Sequence, residues 1–133
     1  MRSARGSASF NGVSLRCLIV DDSEEFLASA TRLLTSQGLD VVAVATNGDE
    51  AVEQISTHEP DIALVDIELG GEDGIELTRV LDSRAPSIRV VLISSYERDD
   101  LRDVVSDSPA VGFIPKSDLG ADAIRTLVGS IEP

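Results

Sequence analysis

The stretch Leu15-Arg16-Cys17-Leu18-Ile19-Val20-Asp21-Asp22 sets an apolar run against two adjacent carboxylates. A run this short, rich in β-branched and aliphatic residues, predicts a buried strand whose C-terminal end carries charge. The pattern recurs twice. Ile62-Ala63-Leu64-Val65 ends at Asp66, and Val111-Gly112-Phe113-Ile114 is followed by Pro115 and Lys116, the chain's single lysine. Strands that run parallel as neighbours in one sheet share an edge at their C-terminal ends, so the three carboxylates and the lysine would converge on one shallow site.

Between the apolar runs lie longer segments with helical periodicity and cap signals, an alternation that implies parallel βαβ units. Strands are expected at Leu15–Val20, Asp40–Ala45, Asp61–Val65, Arg89–Ile93 and Val111–Ile114. The first helix starts near Ser23, with Phe26, Leu27, Ala30, Leu33 and Leu34 as its buried stripe and Gly38 as its stop. Asn47 caps the second, with Glu50 at the reciprocal capping-box position. The third spans about Asp73 to Ser83 and the fourth about Arg98 to Asp107, each ending before a proline. The fifth carries Ile124, Leu127, Val128 and Ile131 on one face. Right-handed crossovers with helices on both faces leave few layouts, and the one expected is a doubly wound, flavodoxin-like (βα)5 α/β sandwich with its five parallel strands in the order 2-1-3-4-5. Strands 1 and 3 are then neighbours, which brings Asp21, Asp22 and Asp66 together.

A length of 133 residues suits one domain, and 42% hydrophobic residues with only 3% aromatic predict an aliphatic core. Residues 1–14, rich in Ser, Ala, Gly and Arg, read as a flexible N-terminal tail, and residues 15–133 as the folded domain. The net charge of −13 opposes binding to nucleic acid or to an anionic membrane. The lone Cys17, inside an apolar strand, reads as a small core hydrophobe. No apolar run is long enough to span a membrane and no secretory signal opens the chain, so a cytoplasmic location is expected.

Three clustered carboxylates repel one another without a counter-ion, and oxygen ligands of this kind suit Mg2+. Aspartate is also an established nucleophile toward phosphorus, which makes Asp66 a candidate phosphoacceptor. The loop Ile67-Glu68-Leu69-Gly70-Gly71-Glu72-Asp73-Gly74 is expected to be flexible and to leave Asp66 accessible. Lys116 would neutralise phosphoryl oxygens, and Ser94 would donate a hydroxyl hydrogen bond. Taken alone, the Asp-Asp pair reads better as a helix cap, a role open to Asp22 or Ser23; joined to Asp66 and Lys116 it reads as a phosphoacceptor constellation. His58 suits the C-terminal end of a helix dipole.

In order along the chain, Ile-Val-Asp21-Asp22, Leu-Val-Asp66 with its Gly74-containing loop, Leu-Ile-Ser94-Ser95 and Gly-Phe113-Ile-Pro-Lys116 resemble the receiver domains of two-component response regulators. The likeness covers about Leu15 to Ile131, and the Gly-Phe-Ile-Pro-Lys-Ser ending is similar to receivers that precede LuxR-type helix-turn-helix domains. The resemblance implies that Asp66 takes phosphate from a histidine kinase or a histidine phosphotransfer protein. It implies Mg2+ on Asp22 and Asp66, with Asp21 acting partly through water and the backbone carbonyl of Glu68 completing the ligands. It further implies that Ser94 and Phe113 form a switch that reshapes the surface of the fourth helix, fifth strand and fifth helix for a downstream protein, an output domain or a phosphorylation-dependent homodimer. On this reading the chain is a signalling module rather than an enzyme, with self-phosphorylation and self-dephosphorylation as its only chemistry, the latter tuned by Glu68 and Tyr96.

The motifs together read as a stand-alone receiver. The alternative, which the Gly-Phe-Ile-Pro-Lys-Ser ending suggests, is the receiver portion of a DNA-binding transcriptional regulator. Serine follows Lys116 where family members often have proline, and Gly70 stands where proline is also common, so a cis Lys-Pro bond is not available to the loop after Lys116. An aspartate-nucleophile phosphatase would need Asp where Glu68 stands. A flavodoxin would need a less acidic first loop than Asp21-Asp22 for its cofactor phosphate.

Overall fold

The computed structural model describes residues 15–95 and 101–129. The expectations placed on residues 1–14, Tyr96, Arg98, Asp99, Asp100 and Ile131 fall outside the described residues. Five strands form a parallel sheet: β1 (Arg16–Val20), β2 (Asp40–Ala45), β3 (Ile62–Asp66), β4 (Arg89–Ser94) and β5 (Gly112–Pro115), in the order β2-β1-β3-β4-β5. This is the doubly wound, flavodoxin-like topology expected. The helices are α1 (Glu24–Ser36), α2 (Gly48–His58), α3 (Gly74–Arg84), α4 (Leu101–Ser106) and α5 (Ala121–Gly129), with a 3-10 turn over Lys116–Asp118.

Strand alternation divides the core in two. Cys17 and Ile19 of β1 join Ile62, Leu64, Val91 and Ile93 on one face, covered by Leu27, Ala30 and Leu34 of α1 and Ile124 and Val128 of α5. Leu18 and Val20 join Ala63, Val65, Val90 and Leu92 on the other, under Ala51 and Ile55 of α2 and Ile75, Leu77 and Leu81 of α3. With both faces covered, the central strands need no polar side and read as continuous apolar runs. Burial pushes the Cys17 thiol up to about 12, which keeps it protonated and inert.

Several local expectations are refined. Leu33 is 38% exposed and does not belong to the α1 stripe. Adjacent helical positions point about 100° apart, so only Leu34 of the pair can face the sheet. Asn47 does cap α2, accepting from Glu50 N at 2.9 Å, but the Glu50 carboxylate reaches one residue further back than a capping box requires, to Thr46 N and Thr46 Oγ1. The backbone and side-chain hydrogen bonds from Thr46 hold the Glu50 pKa below the usual carboxylate range. The loop after Asp66 is a hairpin of two-residue strands, Glu68–Leu69 against Glu72–Asp73. Its turn residues Gly70 and Gly71 have φ of 51° and 100°, the left-handed pair that tight hairpin turns require.

Candidate metal and acid site at the sheet edge

β1 and β3 are hydrogen-bonded neighbours, with Val20 in register with Val65, so their ends deliver Asp21 and Asp66 side by side. Asp21 is fully buried, and its backbone N–H continues toward β2 by donating to the Ala45 carbonyl at 3.0 Å. Asp66 is the last residue of β3 rather than the first of a loop, and only 6% of it is exposed. The hairpin follows it directly in the chain, and Gly74 N donates to the Ile67 carbonyl at 2.8 Å. Asp22 is exposed at the rim.

One carboxylate oxygen from each of Asp21, Asp22 and Asp66 can lie within 4.8 Å of the others. Lys116 enters from the end of β5, its ammonium 2.6 Å from Asp21 Oδ2 and 3.2 Å from Asp66 Oδ2. On its remaining side lies the ring of Phe26, whose centroid is 4.2 Å from Nζ. Asp21 divides its two oxygens. Oδ1 accepts from Ser23 N at 2.9 Å, while the buried Oδ2 meets the lysine as an ion pair without an aligned hydrogen bond. Asp66 Oδ1 accepts from Glu68 N at 3.1 Å.

Burial is the main cause that raises the Asp66 pKa from 3.8 to about 6; the Glu68 N–H and Lys116 act against it, and the Asp21 charge adds to it. For Lys116, burial alone would favour the neutral amine, but the Asp21 and Asp66 carboxylates outweigh it and hold the pKa above the usual lysine value. Counted as ionised, three carboxylates and one ammonium leave two negative charges at one spot. A hard divalent cation fits that imbalance, and Asp21 Oδ2, buried and without an aligned donor, fits it as well. The site is the floor of an open cleft of about 800 Å3 rimmed by Ser23, Glu68, Gly70 and Ser95.

Ser94 is the last residue of β4 and 3% exposed, so the hydroxyl assigned to the site belongs to the sheet rather than to the following loop. Phe113, on β5, is half-buried and packs on the α2–α3 face of the core. Lys116–Ser117 is a trans peptide, since no described peptide bond is cis. The Phe26 ring over Lys116 was missed by sequence reasoning, which placed Phe26 in the core stripe. A contact between residues so distant along the chain leaves no periodic signal.

The family model of the response regulator receiver domain matches residues 17–128. The chain is 35% identical over 120 residues to the transcriptional regulatory protein LnrK of Bacillus subtilis, covering 88% of this chain and 53% of that protein. It thus spans about half the length of that curated relative. Among solved structures, the two-component response regulator of the LuxR family from Aurantimonas sp. superposes with a TM-score of 0.77 at 26% identity, over 87% of this chain and 86% of that one. A CheX–CheY–BeF3–Mg2+ complex from Borrelia burgdorferi gives a TM-score of 0.76 at 28% identity, over 92% of each chain.

Proposed function

Because this chain belongs to the response regulator receiver domain family, we propose that Asp66 is the residue on which it accepts a phosphoryl group, and that Asp21, Asp22, Asp66 and the Glu68 backbone carbonyl hold Mg2+ for that reaction. The observation that carries the reading is the convergence of three carboxylates within 4.8 Å on an ammonium that touches two of them. When bound, Mg2+ supplies charge neutralisation and orients phosphoryl oxygens. An Asp66 carboxylate oxygen attacks phosphorus, the P–N bond of a donor phosphohistidine breaks, and its electron pair returns to the imidazole. Lys116 shifts its hydrogen bond from Asp66 Oδ2 to a phosphoryl oxygen, and Ser94 donates to another. Asp21 fixes the start of α1 through Ser23 N and holds Lys116 through its other oxygen.

Phosphorylation replaces one carboxylate charge by about two and adds acceptor oxygens, so only the conformation that brings Ser94 and Lys116 onto them gains energy. Phe113, half-buried on the strand that leads to Lys116, is the reporter to the surface of α4, β5 and α5, where a downstream protein, an output domain or a second copy would read the state. The LuxR-family likeness and the partial coverage of LnrK favour a chain that serves as the regulatory portion of a transcriptional regulator. A histidine kinase or histidine phosphotransfer protein is the donor. Among the described residues no helix is long and apolar enough to cross a membrane, which agrees with work in the cytoplasm.

Phosphoramidate, a small donor with a P–N bond, tests this chemistry directly. The expected product is a single hydroxylamine-labile phosphoryl group that forms with Mg2+ and fails to form in chelator. A hydroxylamine-resistant or metal-independent product would contradict an acyl phosphate at this site.

A further inference from the structure

The ammonium of Lys116 contacts two carboxylates and one aromatic face, and the aromatic face comes from a residue 90 positions earlier in the chain. Local bonds fix that ring. Asp21 Oδ1 accepts from Ser23 N at 2.9 Å, and Ser23 Oγ accepts from Phe26 N at 3.1 Å, which sets the first turn of α1. Phe26 then packs against the core between α1, α5 and the sheet. The contacts form a closed circuit: Asp21 anchors the cap with one oxygen and pairs Lys116 with the other, the cap places Phe26, and Phe26 covers Lys116.

We propose that Phe26 is a positioning residue of the phosphoryl site, its ring face holding the Lys116 ammonium over the carboxylates. The inference rests on the phosphoryl role of Lys116 and adds the group that keeps the lysine in place. A lysine stem is long and flexible, and at an open cleft it has many rotamers that carry the charge into water. An aromatic face attracts a partly desolvated ammonium within about 6 Å of its centroid, and here the separation is 4.2 Å. The two carboxylates cannot do this alone across the reaction, because Asp66 exchanges its lysine contact for a phosphoryl oxygen. The ring is uncharged, anchored in the core and unaffected by that exchange, so it retains the lysine in both states. Leucine at position 26 fills similar space without the negative face.

The chain's single lysine makes this testable without assignment ambiguity. Protein carrying 13C-lysine gives one ε-methylene signal, and a ring above it shifts those protons upfield. In chelator, the native chain is expected to show the upfield shift, Phe26→Tyr to keep it, and Phe26→Leu to move it to the free-lysine position. With acetyl phosphate and Mg2+, Phe26→Leu is expected to slow phosphoryl uptake about threefold to tenfold, and Phe26→Tyr to restore it to within about twofold of native. Cooperative melting of both variants in chelator separates this from misfolding. An ε-proton shift unchanged by leucine, native-rate uptake in the leucine variant, or equal slowing by leucine and tyrosine would each overturn the proposal. A native chain that takes up no phosphoryl group would instead defeat the functional reading, and the ε-proton shift alone would then decide whether the ring holds the ammonium.

Discussion

Replacing Asp66 by Asn is expected to stabilise the metal-free protein at neutral pH. The carboxyl is displaced upward from 3.8 to about 6, chiefly by burial. Its native form therefore holds a proton more tightly than the unfolded chain does. Between those two values the native state binds more protons, so stability falls as pH rises through the window, and the full cost is present above about pH 6 to 7. A shift of roughly two units corresponds to about 3 kcal/mol at ~1.4 kcal/mol per unit. Asn keeps an oxygen for Glu68 N but loses the ion pair with Lys116, so a net gain of about 1–3 kcal/mol is expected, or roughly 3–12 °C in melting midpoint for a chain of this size. The assay is thermal unfolding of both proteins in chelator from pH 3.5 to 7.5. The gap should be widest at pH 7.5, close toward zero below pH 4, and narrow at pH 7.5 when Mg2+ is added. Equal or lower midpoints for the variant at pH 7.5, or a gap that widens as pH falls, would refute the claim that burying the Asp66 carboxylate costs more than its contacts with Lys116 and Glu68 N offset.

Three further outcomes concern the scaffold. A Cβ at Gly74 would collide with the Asp66 backbone carbonyl oxygen, which has no room to move; Gly74→Ala should cost about 3 kcal/mol or more, read as loss of cooperative melting or of soluble protein. At Gly70, with φ of 51°, a Cβ would lie 2.7 Å from Asp22 Oδ2. Gly70→Ala should cost about 1–2 kcal/mol in urea unfolding and weaken the Mg2+-induced rise in melting midpoint, because the rim carboxylate must turn away. Ser23→Ala removes the cap on Phe26 N, and urea unfolding should show a loss of about 1 kcal/mol.

Much of this architecture was legible because its signals are local and repeated. Each buried strand is a short apolar run, and both faces of the sheet are covered, so Leu18 to Val20, Ala63 to Val65 and Val90 to Ile93 stand out without any alternation of polarity. Crossover handedness narrowed the layouts to a few, and the flavodoxin-like order taken from among them is the one found, which brings Asp21 and Asp66 together. Strand ends shifted by one residue, which moved Asp66 and Ser94 from loops onto the sheet. The position matters chemically, since the Asp66 carboxyl there is buried and burial raises its pKa. The hairpin at Glu68–Asp73 escaped notice because two-residue strands carry no period, although Gly70-Gly71 is the turn signal that marks it. The Glu72 carboxylate accepting from Gly48 N at 2.9 Å ties that hairpin to the start of α2, a contact no local pattern announces. Leu33 was misplaced because leucine satisfies a helical stripe by type alone, while the sheet takes only one of two adjacent positions.

Intact-mass analysis after incubation with acetyl phosphate and Mg2+, run on the native chain and on Asp66→Asn, tests the central claim most directly. One phosphoryl adduct on the native chain, absent from the variant and absent in chelator, is the predicted result. An adduct of equal yield on Asp66→Asn, or no adduct on the native chain with metal present, would contradict the assignment of Asp66 as the phosphoacceptor.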